Sequence, residues 1–351
     1  MISELTYQLF TIAELREYVL HNANNGITPE MISCPRAYAL INNPHALDTD
    51  VVLSTVKHGE KTIGYTAVFA EQLAKPINSD RIFWGTTEFV HPSMRGKGVA
   101  GKMMKQIKET VDGKYLGLES SIASVKLDAK QGAKFAYYPK YEYRIKAKTK
   151  GCKQWLLEKY VQYQNCQFGK YIQLEGVEIR HVNYIDDASY EFIKSHSEKD
   201  VFLRKQDMIN WMIQYPFLLA KNNAKWEEKE ACEFGGVVDE YYWTVMDISY
   251  MGERIGIVIY TVRDGLFTLR YVYHEDMHAE KVFAVVAQES LLLDVHTLEF
   301  CSLQFRDYLD AHGFAKMNRK HCTKDISFTY YESFQFEASK QMQAGDGDMF
   351  C

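Results

Sequence analysis

Apolar and polar positions along the chain fall into short blocks that switch between two periods. Alternation with β-branched and aromatic residues marks strands at Tyr7–Phe10, Val51–Lys57, Thr62–Phe69, Phe83–Val90 and Tyr115–Glu119, with a closing strand at Tyr141–Lys146. Helical spacing runs from Ile12 to Leu20 behind Thr11, with Glu14 at the capping-box position. A second helix is expected from Pro29 towards Leu40, kinked or broken at Pro35. Apolar residues at 99, 100, 103, 104, 107 and 111 predict a helix directly after the Phe83–Val90 strand, and a short helix covers Val125 to Gly132. A helical connector follows around Gln154–Val161.

The second half repeats this order. A strand at Val177–Val182 precedes helices at Asp186–Ile193 and Arg204–Met212, and three strands follow at Tyr242–Ile248, Arg254–Tyr260 and Phe267–Tyr273. His274-Glu275-Asp276-Met277 stands where His91-Pro92-Ser93-Met94 stood, and Leu309-Asp310-Ala311 repeats Leu127-Asp128-Ala129. The offsets are 183 and 182 residues, so a tandem duplication is expected.

The chemistry concentrates between strand and helix, in Val90-His91-Pro92-Ser93-Met94-Arg95-Gly96-Lys97-Gly98-Val99-Ala100. Gly96 and Gly98 carry no Cβ where a ligand must approach the backbone, and Arg95 and Lys97 add charge. The amides opening the next helix lack intrahelical partners and sit at the positive end of its dipole. Such a loop suits a pyrophosphate. Neither GxGxxG nor GxxxxGK[ST] is present, which excludes the Rossmann and P-loop fingerprints.

Val90-x-Pro92-x-x-Arg95-Gly96-Lys97-Gly98-Val99-Ala100 resembles the acyl-CoA signature of the GNAT N-acetyltransferases at each defining position, and the element order over about residues 6–148 is similar to that family's. The resemblance implies an α+β fold: two tandem GNAT-like domains, each a mixed, mainly antiparallel twisted sheet flanked by helices. It implies acetyl-CoA as cofactor, held by Phe89 and Val90 at the strand end, by the loop residues Arg95, Gly96, Lys97, Gly98, Val99 and Ala100, and by Ser121, where the family often has an Asn. The expected activity is transfer of an acetyl group to a primary amine of a small amine, amino sugar or peptide. The alternative is an acyl-CoA-binding regulatory or scaffolding protein without turnover.

Alternation places residues 84, 86, 88 and 90 on one strand face, with Glu88 the ionisable one. Glu88 is the candidate general base, or else a structural partner of a Lys or Arg. The family's thiol-protonating tyrosine has no counterpart, since position 128 is Asp; Tyr137, Tyr138 and Tyr141 are nearby candidates. In the second copy Arg95-Gly96-Lys97-Gly98 becomes His278-Ala279-Glu280-Lys281, which predicts a degenerate copy without cofactor.

The expected organisation is an N-terminal domain over 1–150, a helical linker over 151–174, a C-terminal domain over 175–335 and a flexible polar tail over 336–351. A net charge of −5 gives no reason to expect nucleic acid or an acidic membrane surface as partner. Seven scattered cysteines without CxxC pairs argue for reduced thiols and against a zinc site, and no metal is expected. With no apolar run of about 18 residues and no signal-peptide pattern, a cytoplasmic protein is expected.

Overall fold

The computed structural model describes residues 5–25, 32–75, 81–118, 122–145, 152–172, 174–221, 237–293, 295–314, 324–330 and 340–347. In chain order the first half comprises β1 (Leu5–Thr11), α1 (Ile12–Asn25), α2 (Cys34–Ile41), β2 (Val51–His58), β3 (Lys61–Gln72), β4 (Arg81–Val90), α3 (Val99–Thr110), β5 (Tyr115–Leu118), α4 (Ile122–Lys130) and β6 (Lys134–Arg144). The helix α5 (Cys152–Tyr171) leads to β7 (Val177–Val182), α6 (Asp187–Ser195), α7 (Gln206–Gln214) and the short strands β8 (Leu219–Ala220) and β9 (Val237–Val238). Then come β10 (Tyr241–Tyr250), β11 (Glu253–Arg263), β12 (Leu266–His274), α8 (Ala279–Leu292), β13 (Thr297–Phe300), α9 (Leu303–Ala311) and β14 (Lys324–Tyr330).

Local chemistry accounts for the helix starts. Thr11 and Glu14 form a reciprocal capping box, the Thr11 amide donating to Glu14 Oε2 at 2.8 Å and the Glu14 amide to Thr11 Oγ1 at 3.3 Å. Asp186 caps α6 through the Ser189 amide at 2.7 Å. Pro35 does not break a helix that is already running. It lies at the start of α2, where its missing N–H costs nothing. The part of the expected helix led by Pro29 lies outside the described residues.

Twelve strands form one sheet in the order β1-β2-β3-β4-β5-β14-β6-β13-β12-β11-β10-β7. The last strand of each half is exchanged: β14 pairs with β5 through Phe328↔Leu118, and β6 pairs with β13 through Tyr141↔Phe300. The two exchanged strands then pair with each other over seven residues. Thus neither half closes its sheet with its own final strand.

The sheet also folds back on itself. Arg204, buried between the halves, donates from Nη1 to Glu71 on β3 at 2.7 Å and from Nε to the Tyr271 hydroxyl on β12 at 2.8 Å. In a flat sheet β3 and β12, with five strands between them, would lie nearly 30 Å apart at ~4.8 Å per strand. One side chain cannot span that, so the sheet is a trough. Its inner face carries a core shared by both halves, in which Trp84, Tyr65 and Leu116 meet Phe202, Trp211 and Tyr271.

A strap over residues 340–347 threads the trough, and this corrects the expectation of a flexible tail there. Met342, Gln343, Ala344 and Asp346 are buried. The strap is held by Arg204 Nη2 on the Gly347 carbonyl at 2.6 Å, by the Gly345 amide on the Arg270 carbonyl at 2.8 Å and by Gln343 on Asp200. Its polar composition reads as solvated, but Gln343, the Gly345 amide and the Gly347 carbonyl have buried partners. Among the described residues no helix is long and apolar enough to cross a membrane.

Candidate functional site

On the outer face of the first half, α3 and α4 stand side by side with a cleft of about 630 Å³ between them. They approach closely because Gly101 presents no side chain: a Cβ there would meet Leu127 Cδ1 at 3.2 Å. Gln131 Nε2 then reaches the Gly101 carbonyl at 3.0 Å. Lys108 of α3 joins the helices by an ion pair to Asp128 at 3.0 Å and a bond to Gln131 Oε1 at 2.8 Å.

The cleft begins where two strands part. Among the described residues β4 and β5 pair in parallel only at Phe83↔Tyr115 and Trp84↔Leu116. Beyond that, β4 runs on beside β3 to Val90 while β5 turns to β14. This leaves the last six residues of β4 bordering a notch.

A β-bulge aims the side chains of that stretch. Ala67 pairs with Thr87 and Val68 with Gly85, so Thr86 is an extra residue in β4. Arg36 of α2 holds the bulge through the Thr86 carbonyl and hydroxyl. The extra residue reverses the alternation. Trp84 joins the inner core, whereas Val90 packs outward with Val99 and Met103, and Glu88 shares the Val90 side. The expectation that 84, 86, 88 and 90 share a face is therefore corrected: unbroken alternation fails at the bulge. β12 bulges likewise at Arg270, between Ile259↔Tyr271 and Tyr260↔Leu269.

The glycine loop closes one end of the cleft. Gly96 has φ 76° and Gly98 φ 79°, left-handed values, and a Cβ at either would meet nothing within 4 Å. Gly98 is the N-cap of α3, so the first-turn amides of the helix open towards this free space. Of the sequence-derived residues, Glu88, Phe89, Val90, Arg95, Gly96, Gly98, Val99 and Ala100 line the cleft. Arg95 Nε also donates to the Val90 carbonyl at 3.0 Å, tying the loop to the strand end. Lys97 does not line it; its ammonium lies 3.7 Å from Met94 Sδ on the exposed side. Ser121 lies outside the described residues.

Sequence reasoning missed the opposite wall: Ser124, Lys126, Leu127 and Lys130 of α4, with Gly101 and Met94. The i, i+3 spacing of Ser124, Leu127 and Lys130 was a usable signal, because it puts the three on one side of a helix. Ser124 Oγ donates to Glu88 Oε2 at 3.1 Å. Burial pushes the Glu88 carboxyl above its ordinary value; the Ser124 bond and the Lys108 charge pull down, and Asp128 pushes up. Burial also lowers the Lys108 pKa, against the pull of Asp128.

The candidate tyrosines are elsewhere. They lie on β6, separated from β5 by β14. Tyr137 is exposed, Tyr138 packs against the inner core, and the Tyr141 hydroxyl meets Arg306 at 3.3 Å. No tyrosine is among the described residues lining the cleft.

The corresponding place in the second half is filled. The α8 start has no left-handed glycine, and its N-cap is His278 at φ −114°. Phe283 packs edge-on or tilted against His274 at 5.1 Å, Phe305 at 5.4 Å and Tyr308 at 5.8 Å. Lys281 lies over the Tyr250 ring at 4.5 Å.

No protein-family model matches the sequence, and no curated protein matches it. Solved structures do. A tandem GNAT protein from the clavulanic acid biosynthesis pathway aligns with 95% of this chain and 100% of its own, at 11% identity and a TM-score of 0.51. The N-myristoyltransferase of Saccharomyces cerevisiae with bound myristoyl-CoA aligns with 94% of this chain and 79% of its own, at 9% identity and a TM-score of 0.50. The chain spans 64% of the length of a GCN5-related N-acetyltransferase from Kribbella flavida, with 85% of this chain aligned at 13% identity and a TM-score of 0.46. At such identities the likeness is one of architecture, and it agrees with the repeated element order, the parted strands and the glycine-opened helix: the protein has the tandem GNAT fold.

Proposed function

We propose that the protein transfers an acyl group, acetyl in the first instance, from acyl-CoA to a primary amine, with one cofactor bound in the first half. The observation that carries this reading is the cleft itself. It couples a left-handed Gly-x-Gly loop at a helix N-terminus to a notch between parted strands, with a half-buried carboxylate beside the notch.

The donor set fits an acyl-CoA. The α3 amides and the Arg95, Lys126 and Lys130 cations suit its pyrophosphate and 3′-phosphate, and the Phe89–Val90 backbone suits the pantetheine amides. Bound there, the cofactor supplies a thioester whose carbonyl an amine can attack. The chain holds donor and acceptor in one frame, which removes much of the entropic cost of a bimolecular reaction. Glu88 takes the amine proton. Its raised pKa brings it closer to working pH, where a general base is most effective. The acceptor class (small amine, amino sugar or peptide amine) is fixed by groups around the notch and differs freely on one fold.

The test pairs two measurements on the purified protein: CoA affinity by calorimetry, and thiol release from acetyl-CoA across a panel of amines. Micromolar CoA binding with amine-dependent thiol release is expected. Binding without release from any amine would favour a non-catalytic acyl-CoA-binding protein, and no binding would remove both readings.

A further inference from the structure

Acyl transfer from a thioester to an amine leaves a proton on nitrogen and a negative sulfur. Both must be neutralised, and a thiolate emerging into a partly buried cleft gains from a nearby donor. The tyrosine hydroxyl that the family resemblance implies is not among the described residues lining the cleft. What the cleft does hold beside the notch is a serine hydroxyl in contact with a carboxylate.

Resting on the transfer reading above, we propose that Ser124 is the group that protonates the departing thiolate, and that Glu88 resupplies it with the proton taken from the amine. Ser124 stands in the first turns of α4, and Glu88 lies two residues before the end of β4. The hydrogen bond of 3.1 Å between them crosses from one wall of the cleft to the other. Ser124 and Asp128 are four residues apart, on one side of α4. Asp128 is nevertheless engaged with Lys108 at 3.0 Å and only 3% exposed, so it fixes the helix while Ser124 faces the cleft.

The proton count closes. The amine nitrogen bonds to the acyl carbon, the C–S bond breaks, and its electron pair leaves with sulfur. The nitrogen loses a proton to the Glu88 carboxylate, directly or through one water. Glu88 O–H then donates to Ser124 Oγ while the Ser124 proton passes to sulfur. The products are an amide and a free thiol, with Glu88 again a carboxylate and Ser124 again a hydroxyl. The relay reverses the direction of the existing Ser124–Glu88 hydrogen bond. A serine alone is a poor acid at its ordinary pKa; coupled to a protonated carboxyl it is a conduit. That requires a carboxyl whose pKa is raised, which burial gives Glu88. The charges that act on Glu88 are Lys108 from α3 and Asp128 from α4; Lys126 and Lys130 of α4 and Arg95 of the loop line the same cleft.

The relay is tested with Ser124→Ala and Ser124→Thr in the full chain. Ser124→Ala is expected to lower kcat by roughly 10²-fold while CoA affinity and the acceptor KM stay within about threefold, and Ser124→Thr, which restores the hydroxyl, to recover most of the rate. A second readout needs no turnover. With 13C-labelled glutamate in the cofactor-free protein, the Glu88 carboxyl should titrate at higher pH in Ser124→Ala than in the parent, because the bond that stabilises its charged form is gone. Unchanged kcat in Ser124→Ala, or an unmoved Glu88 titration, would overturn the relay. So would a Ser124→Thr variant as slow as Ser124→Ala with CoA affinity intact. If the parent binds CoA but releases thiol with no amine, the transfer reading itself fails and the relay falls with it. Failure of the relay alone shows instead as full turnover in Ser124→Ala.

Discussion

Gly98 offers the sharpest perturbation of the proposed cofactor site, because strain, bulk and charge can be separated there. Its φ of 79° is left-handed, and a Cβ would meet no protein atom within 4 Å. Gly98→Ala therefore creates no clash, and its cost is the left-handed conformation, about 1–2 kcal/mol of stability. Since the glycine lines the cleft, any side chain placed here extends into the space assigned to the pyrophosphate. A glutamate carboxylate about 6 Å from a phosphate charge, at an effective dielectric of about 20, is repelled by ~3 kcal/mol, or about 100-fold in affinity. Salt reduces this at an open cleft mouth, with a screening length of ~8 Å at physiological ionic strength.

Calorimetric titration with CoA should therefore show Gly98→Ala within about tenfold of the parent, and Gly98→Glu weaker by at least ~100-fold at low salt. Gly98→Lys carries similar strain and bulk with the opposite charge, and should bind at least ~100-fold better than Gly98→Glu. Raising salt should narrow the gap between Glu and Lys. All three should keep a cooperative thermal transition a few degrees below the parent. If Gly98→Glu binds CoA like the parent, or if Glu and Lys bind alike at low salt, the phosphate does not sit at this helix start and the assignment fails.

The filled second-half site predicts a stoichiometry of one CoA per chain, and a calorimetric value of two would refute it. Burial works against the Arg204 charge but Glu71 outweighs it and holds the guanidinium above its ordinary pKa, so Arg204→Met should cost about 3–5 kcal/mol in denaturant unfolding. The double variant with Glu71→Gln should recover part of that loss, and a neutral single variant would mean the pair does not hold the trough. Burial pushes Asp200 up to about 7, against hydrogen bonds from Gln341 and Gln343, so its contribution is fully present below its unfolded pKa and is lost as pH rises through about 7. Asp200→Asn should therefore stabilise the protein at pH 8.5 by up to about 4 kcal/mol and flatten stability between pH 5 and 8.5; an unchanged slope would refute this.

What the sequence revealed and what it hid divide along the range of the interactions. The left-handed glycine loop that opens α3 was legible because its signal is local. Glycines needing positive φ, a proline and two cations lie within a dozen residues between a strand pattern and a helix pattern. The bulge at Thr86 was not, because nothing in Gly85-Thr86-Thr87 distinguishes a bulged strand from a regular one. The register is set by β3 and by Arg36, fifty residues earlier. Ser124 went unnoticed for a similar reason: its importance arises from a residue 36 positions away on another element. Pro35 was misread because Pro29 offered an earlier helix start, whereas α2 begins at Cys34. The strap misled most. Gln343, Gly345 and Asp346 look like solvated tail, yet they lie in the trough because Arg204, Arg270 and Asp200 supply partners there.

The exchanged strands suggest why a half without a glycine loop accompanies one that has it. β5 borders the notch, and on its far side it pairs with β14, which comes from the end of the second half. Without β14, Gly117 and Leu118 would present unpaired backbone where the notch must be rigid, and buried unpaired amides and carbonyls are costly. Gly347 of the strap packs against the same residue from inside: a Cβ there would meet Leu118 Cδ2 at 2.7 Å. The end of β5 is thus fixed on its edge by one segment of the second half and on its inner face by another. Arg204 links that strap to Glu71 on β3, one strand from β4. On this argument the second half need bind nothing. It contributes β14 and the strap to a notch that the first half does not complete from its own strands.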